Sequence, residues 1–304
     1  MAELMRVIES SDIPRIKELL RIVFGNDKYI EIIRLGGMTN RSYRIVRDNG
    51  EIFLVRIPGD GTEELISRSD ERKSTELACK LDIDSELLYF GSDGTKVMRF
   101  INNPQIMNDE VMRQNSIISQ AADIFRKLHT CGCDTGVRFE VFEMADMYEN
   151  IIKNNNVKLY DDYLEVKKII MNIKSEIDVQ QEPKRVPCHN DCLVDNWVLD
   201  ENNRLYLIDW EYSGMNEPMW DLSCLSIEAQ YTTIEDIKLL NAYYGRSATV
   251  EENKKFIAAK LYVDYLWTLW GLTRVPYDGA FMQEYADERY GRLKANILFF
   301  NSIS

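Results

Sequence analysis

The sequence predicts an α+β chain in two lobes, a five-stranded antiparallel sheet with one helix and then a larger, mainly helical lobe. Three observations carry that expectation. Five short β-type runs stand between residues 30 and 100, separated by Gly, Asn and Asp turns. Beyond Pro104 the apolar residues recur at helical spacing instead. Between them and the C-terminus, residues 188–221 read CHNDCLVDNWVLDENNRLYLIDWEYSGMNEPMWD. That stretch gathers one of the two histidines, three of the five tryptophans and a set of acids at informative spacings.

In chain order, residues 1–25 predict one or two amphipathic helices with Ile13, Ile16, Leu19, Leu20, Val23 and Phe24 on the apolar side. Ser10-Ser11-Asp12 supplies capping chemistry, and Pro14 falls in the first turn, where its missing N–H breaks no intrahelical bond. Runs 30–35, 42–46 and 52–57 predict three antiparallel strands, the first two joined by Gly36-Gly37-Met38-Thr39-Asn40. A Gly-rich hairpin with Thr39, Asn40 and Arg41 offers donors to phosphates, although Gly-Gly turns also occur as plain hairpins. Arg56 ends the third strand, and Glu71 opens a helix over 71–81 from which it can pair with that cation. Strand-end arginines often simply reach solvent. Runs 87–90 and 95–100 complete the sheet, and Phe100-Ile101 begin the connection to the second lobe. Helices are then expected over 115–130, 144–154, 159–177, 222–230, 234–244 and 252–271. His129, alone and late in its helix, reads as structural. The boundaries expected are 1–25 for a helical extension, 26–101 for the first lobe and 102–304 for the second.

Composition narrows the function classes. The chain has 304 residues, 45% hydrophobic and 29% charged, with a net charge of −13. Nucleic acid and anionic membrane are therefore poor partners. No run approaches the roughly 20 apolar residues of a membrane span, and charges interrupt the first 25 residues too often for a signal core. Six scattered cysteines suit reduced thiols in a cytoplasmic protein rather than a disulfide framework.

The chemistry concentrates in the 188–221 stretch. His189-Asn190-Asp191 is followed five residues after Asp191 by Asn196, and a short apolar strand over 205–208 then delivers Asp209. Phosphoryl transfer needs a carboxylate near the attacking hydroxyl, plus an amide oxygen and a second carboxylate to hold Mg²⁺ on the phosphates. Asp191, Asn196 and Asp209 stand in that order. Further on, Trp267 and Trp270 are three apart, so their rings share one helix face. Such a pair is usually core. The alternative is an aromatic wall for a quaternary ammonium, which lacks N–H donors.

These residues resemble the choline kinases, especially the bacterial LicA-type enzymes, within the aminoglycoside phosphotransferase and protein-kinase-like superfamily. The resemblance rests on LGGMTNRSY (35–43), FLVRIPGDGTEELISRSDE (53–71), CHNDCLVDNW (188–197), LYLIDWEYSGMNEPMWDL (205–222) and LWTLW (266–270). It implies a bilobal kinase-like fold that uses ATP and Mg²⁺ to phosphorylate choline. It further implies that Asp191 is the catalytic carboxylate, braced by His189 and Asp221, and that Asn196 and Asp209 ligate the metal. Gly36, Gly37, Met38, Thr39, Asn40 and Arg41 are implied in the ATP-phosphate loop, with Arg56, Glu71, Phe100 and Ile101 also at the nucleotide. Tyr212, Glu228, Trp267 and Trp270 are implied at choline. Arg at 56 and Trp-Glu after Asp209 depart from the protein-kinase pattern and agree with the choline branch. An ethanolamine kinase, an aminoglycoside phosphotransferase and a non-catalytic pseudokinase stay as alternatives. Two tryptophans plus Tyr212 favour choline over ethanolamine, whose three N–H donors want carboxylate.

Overall fold

The computed structural model describes residues 11–35, 40–59, 66–105, 107–180 and 184–303. In chain order these form α1 (Asp12–Phe24), β1 (Tyr29–Arg34), β2 (Arg41–Arg47), β3 (Ile52–Ile57), α2 (Arg68–Lys80), β4 (Leu87–Phe90) and β5 (Lys96–Arg99). There follow α3 (Asp109–Met112), α4 (Asn115–His129), α5 (Val141–Asn154), α6 (Tyr163–Gln180), β6 (Val186–Cys188), β7 (Trp197–Leu199), β8 (Leu205–Leu207) and β9 (Gly214–Asn216). Helices α7 (Pro218–Glu228), α8 (Thr233–Tyr244), α9 (Val250–Asp278) and α10 (Ala280–Ile303) complete the chain. They pack as two compact units, Met1–Met107 with Asp195–Ser213, and Asn108–Val194 with Gly214–Ser304.

The first unit contains the expected antiparallel sheet, in the order β1-β2-β3-β5-β4. Its β2–β3 pair runs in unbroken register from Arg41↔Ile57 to Val46↔Ile52, which turns Tyr43, Ile45, Phe53 and Val55 to one buried face. Helix α1 closes that face with Ile16, Leu19 and Leu20, all fully buried. Residues 11–25 are thus part of the sheet's core. The N-terminal signal is built differently from expectation. Ser11 makes no side-chain cap bond, and Asp12 turns to Arg41 Nε (2.8 Å) and Tyr43 Oη (2.5 Å).

A hairpin of β7 and β8 joins this unit from far along the sequence. Leu207 N–H donates to Ile83 O (3.2 Å), and Trp210 Nε1 donates to Asp84 Oδ2 (3.1 Å) and Leu207 O (3.2 Å). Trp210 is fully buried, so this indole anchors the turn that follows β8.

The second unit is mainly helical, with one short ladder of β6 against β9. Helix α9 continues past its expected end, through Pro276 to Asp278. Pro276 lies within the last turn, where its missing N–H removes a single bond near the helix end. Residues 280–303, for which the sequence suggested no element, form α10 against α9. Gly271 permits that approach, because a Cβ there would stand 2.8 Å from Tyr285 Cδ1.

Two measurements test these contacts. Thr249 and Glu252 form a reciprocal capping box at the start of α9. Thr249→Ala is expected to cost about 1 kcal/mol in denaturant unfolding; an unchanged midpoint would show that the box contributes nothing. Burial pushes the Asp84 carboxyl from 3.8 up to about 6, against the pull of Lys96 and its hydrogen bonds from Ser85 and Trp210. A raised folded value means stability that is full below the unfolded value and lost as pH rises through the folded one. Wild type should therefore lose on the order of 3 kcal/mol across that window. Asp84→Asn, which keeps an acceptor for Trp210, should flatten the loss; parallel stability–pH curves would refute the assignment.

Candidate active site

In the second unit, the loop carrying Asp191 is held by a single carboxylate. Asp221, on the first turn of α7 and fully buried, accepts the backbone N–H of His189 at Oδ2 and of Asn190 at Oδ1, both at 2.8 Å. His129 Nε2 stands 3.0 Å from the same Oδ2, and its Nδ1 stands 3.0 Å from Tyr243 Oη. A carboxylate only accepts, so in the neutral ring Nε2 carries the proton and Nδ1 accepts from the tyrosine. Asn190 adopts a left-handed backbone at φ 70°, a conformation that Asn tolerates better than most residues. Its side chain is clamped by Asn216 Nδ2 (3.0 Å), and its carbonyl accepts Trp220 Nε1 (2.9 Å). Asp191 N–H then donates to His189 Nδ1 (3.2 Å), leaving Asp191 itself half-buried at the end of a fully bonded turn.

The same unit carries the aromatic pair. Trp267 is buried and Trp270 half-buried on α9, their rings edge-to-face at 5.8 Å. Tyr285 of α10 continues the row, 5.8 Å from Trp270. Burial raises the Tyr285 hydroxyl pKa, and the negative charges of Glu228 and Asp191 add to that rise against Arg289. Glu228, at the end of α7, accepts Arg289 Nη2 at 2.6 Å.

In the first unit, Arg56 and Glu71 meet as expected, Nη2 to Oε1 at 2.5 Å, both buried. Arg56 Nη1 also holds Asp209 Oδ1 at 2.7 Å. Burial works against the Arg56 charge, but Asp209, Glu71 and Glu211 outweigh it and keep its pKa above the usual value. Burial likewise opposes the Glu71 charge, which Lys96 and Arg56 restore, so its carboxyl stays below its ordinary range. Lys96 Nζ (3.3 Å) and Arg68 Nη1 (2.8 Å) complete the set around Glu71. The outcome is an alternating cluster of three cations and three carboxylates. Burial, with Asp209 beside it, pushes Glu211 up to about 7, while Asn40 Nδ2 donates to it at 3.3 Å.

Asp209 too is left-handed, at φ 66°, which turns its side chain out of the line of β8. Ile208 N–H donates to Asn196 O at 2.9 Å, so the segments bearing Asn196 and Asp209 are tied through the backbone. An amide oxygen and a carboxylate oxygen are the hard donors that Mg²⁺ takes, and the Asp209 side chain is 30% exposed. The donor set fits that ion. Beside Asp209 is a cavity of about 210 Å³, lined on its apolar side by Leu35, Leu54, Met98, Phe100, Ile101 and Ile208. Arg56, Lys96 and Asp209 also line it.

Of the remaining expected residues, Gly36, Gly37, Met38 and Thr39 lie outside the described residues. Arg41 is engaged with Asp12 rather than presented alone. Tyr212 is half-buried in the first unit. The sequence did not single out Lys96, Arg68 and Glu211 around Arg56, nor Tyr285 and Arg289 on α10. His129 was expected to be structural and braces Asp221.

The sequence matches the family described as choline/ethanolamine kinase over residues 30–290. Protein LicA of Haemophilus influenzae is 26% identical over 243 residues, 78% of this chain and 71% of that protein. Among solved structures, a choline/ethanolamine kinase family protein from Mesorhizobium loti is 33% identical with a TM-score of 0.81, covering 93% of this chain and 94% of its own. The choline kinase LicA from Streptococcus pneumoniae is 28% identical with a TM-score of 0.80, covering 95% and 99%. A structure of LicA in complex with AMP is also 28% identical, with a TM-score of 0.78 and coverage of 94% and 98%. The family match spans both compact units and every residue of the two bonded clusters, and no described helix is long and apolar enough to cross a membrane. This chain belongs to the choline/ethanolamine kinase family and is a nucleotide-binding phosphotransferase.

Proposed function

We propose that the enzyme transfers the γ-phosphoryl group of ATP to the hydroxyl of choline, giving phosphocholine and ADP. The observation that supports this choice of acceptor is the row of rings Trp267, Trp270 and Tyr285 in the unit that carries Asp191. A trimethylammonium group has no N–H to satisfy and is held by aromatic faces, at about 2 kcal/mol for each desolvated contact. Asp191 orients the choline hydroxyl and accepts its proton as the O–Pγ bond forms and the bond from Pγ to the β,γ-bridging oxygen breaks. Early deprotonation of an unactivated alcohol is unfavourable, so orientation is the larger part of its work.

In the first unit, Arg56 and Lys96 supply positive charge for the phosphates, with Glu71 holding both in place. The apolar cavity beside Phe100 and Ile101 takes the adenine. Asn196 and Asp209 would hold Mg²⁺, which would neutralise charge on the phosphates. His189 and Asp221 act through the loop, fixing where Asp191 points.

Side-by-side ADP release with MgATP and choline, ethanolamine or kanamycin tests the reading. Choline is expected to give the highest kcat/KM; a preference for either other acceptor would overturn it. Asp191→Asn should lower kcat by roughly 10²–10⁴ while ATP binding by calorimetry stays near wild type. Substantial residual turnover would remove Asp191 from its role.

A further inference from the structure

Glu228 acts electrostatically on Tyr285, as Asp191 does, and Tyr285 continues the ring row from Trp270; the Glu228 carboxylate is already paired. Arg289, only 4% exposed on α10, bonds Glu228 Oε1 through Nη2 at 2.6 Å. The same guanidinium lies over the Tyr285 ring, its carbon 4.5 Å from the centroid. Its Nη1 stands 3.6 Å from Asp264 Oδ1. Asp264, fully buried on α9, is itself gripped by Arg292 through two bonds of 2.9 and 2.6 Å. Two carboxylates thus face two guanidinium groups, and the cluster sums to zero. An arginine stays charged under all ordinary conditions. Here burial opposes its charge, but Tyr285, Glu228 and Asp264 together hold its pKa above the usual value.

The two acceptors of this family differ in what they ask of such a wall. A primary ammonium brings three N–H donors, and in a dry pocket each needs an acceptor. A quaternary ammonium brings none and asks only for aromatic faces. Resting on the choline reading above, we propose that Arg289 is a specificity-determining residue that withholds Glu228 from primary ammonium acceptors, leaving Trp267 and Trp270 to hold a quaternary one. For ethanolamine to use Glu228, the Arg289 bond must break and leave a buried guanidinium without its partner. Choline imposes no such exchange.

Arg289→Met removes the competing cation while keeping a long apolar side chain. It is expected to raise the ratio of kcat/KM for ethanolamine over choline at least tenfold, chiefly through a lower KM for ethanolamine. Adding Glu228→Gln to that variant should return the ratio to within threefold of wild type, because the released carboxylate is gone. An unshifted ratio in R289M with wild-type melting temperature and KM for ATP would overturn the proposal. So would a double variant that keeps the full increase. Should R289M not fold, E228Q alone carries the test. With Glu228 already withheld, E228Q is expected to raise both acceptor KM values in parallel; a loss confined to ethanolamine would show Glu228 already serving the ammonium. Choline turnover by the unmodified enzyme separates the two readings. Its absence overturns the choline assignment, whereas turnover with no ratio shift in the variants overturns only the role given to Arg289.

Discussion

The second unit's chemistry depends on one buried carboxylate. Asp221 has no exposure to water, and a polar group taken out of water must be hydrogen-bonded. Two hydrogen bonds come from consecutive backbone N–H groups at His189 and Asn190, and a third from His129 on α4. Those bonds offset its desolvation, and in return they fix a left-handed Asn190 that an unsupported loop would not hold. Asp191 inherits its position from this arrangement. A helix, a strand end and a loop thus converge on one residue, which bonds the two positions just before Asp191.

The first unit solves the converse problem with charge rather than backbone. Arg56 is placed by β3 and Asp209 by the turn after β8, 153 positions apart in sequence. Glu71, buried and surrounded by Arg56, Arg68 and Lys96, keeps the cations from drifting into solvent. No single pair in such a network is independent, since removing Glu71 would leave three cations with only Asp209 and Glu211 to face them. Trp210 contributes from beneath, because its hydrogen bonds to Asp84 and Leu207 seat the turn from which Asp209 projects. The tryptophan beside the acid is therefore a structural anchor, while Trp267 and Trp270 present their rings to one another at right angles.

Much of this was legible in the sequence, and the limits are physical. Alternating apolar residues and Asn/Asp–Gly turns marked all five sheet strands, because a period of two leaves a visible trace. The Arg56–Glu71 contact was also readable, from a strand-end cation and a helix-start acid. Helix α10 was not, since its mixed charges and scattered aromatics show no clear apolar face until α9 is present to define one. Arg289 went unnoticed for that reason. His129 illustrates a second limit: a histidine 92 positions before its carboxylate carries no local sign of the partnership. Asp12 shows a third. Its place before a helix suggested a cap, yet a half-buried arginine and a buried tyrosine on β2 outcompete the backbone for its oxygens.

The first unit is discontinuous, with Asp195–Ser213 completing what residues up to 107 begin. On the ribosome, the sheet can form while the chain is short, but Asp84 would lack Trp210 and Arg56 would lack Asp209 until residues 108–194 had also emerged. A charged, half-finished surface would be exposed throughout that interval. Synthesis therefore cannot complete the first unit before residues 108–194 of the second have been made. Either the early sheet waits, or the whole molecule assembles after release, and a fragment ending near residue 107 would carry the sheet without its acid.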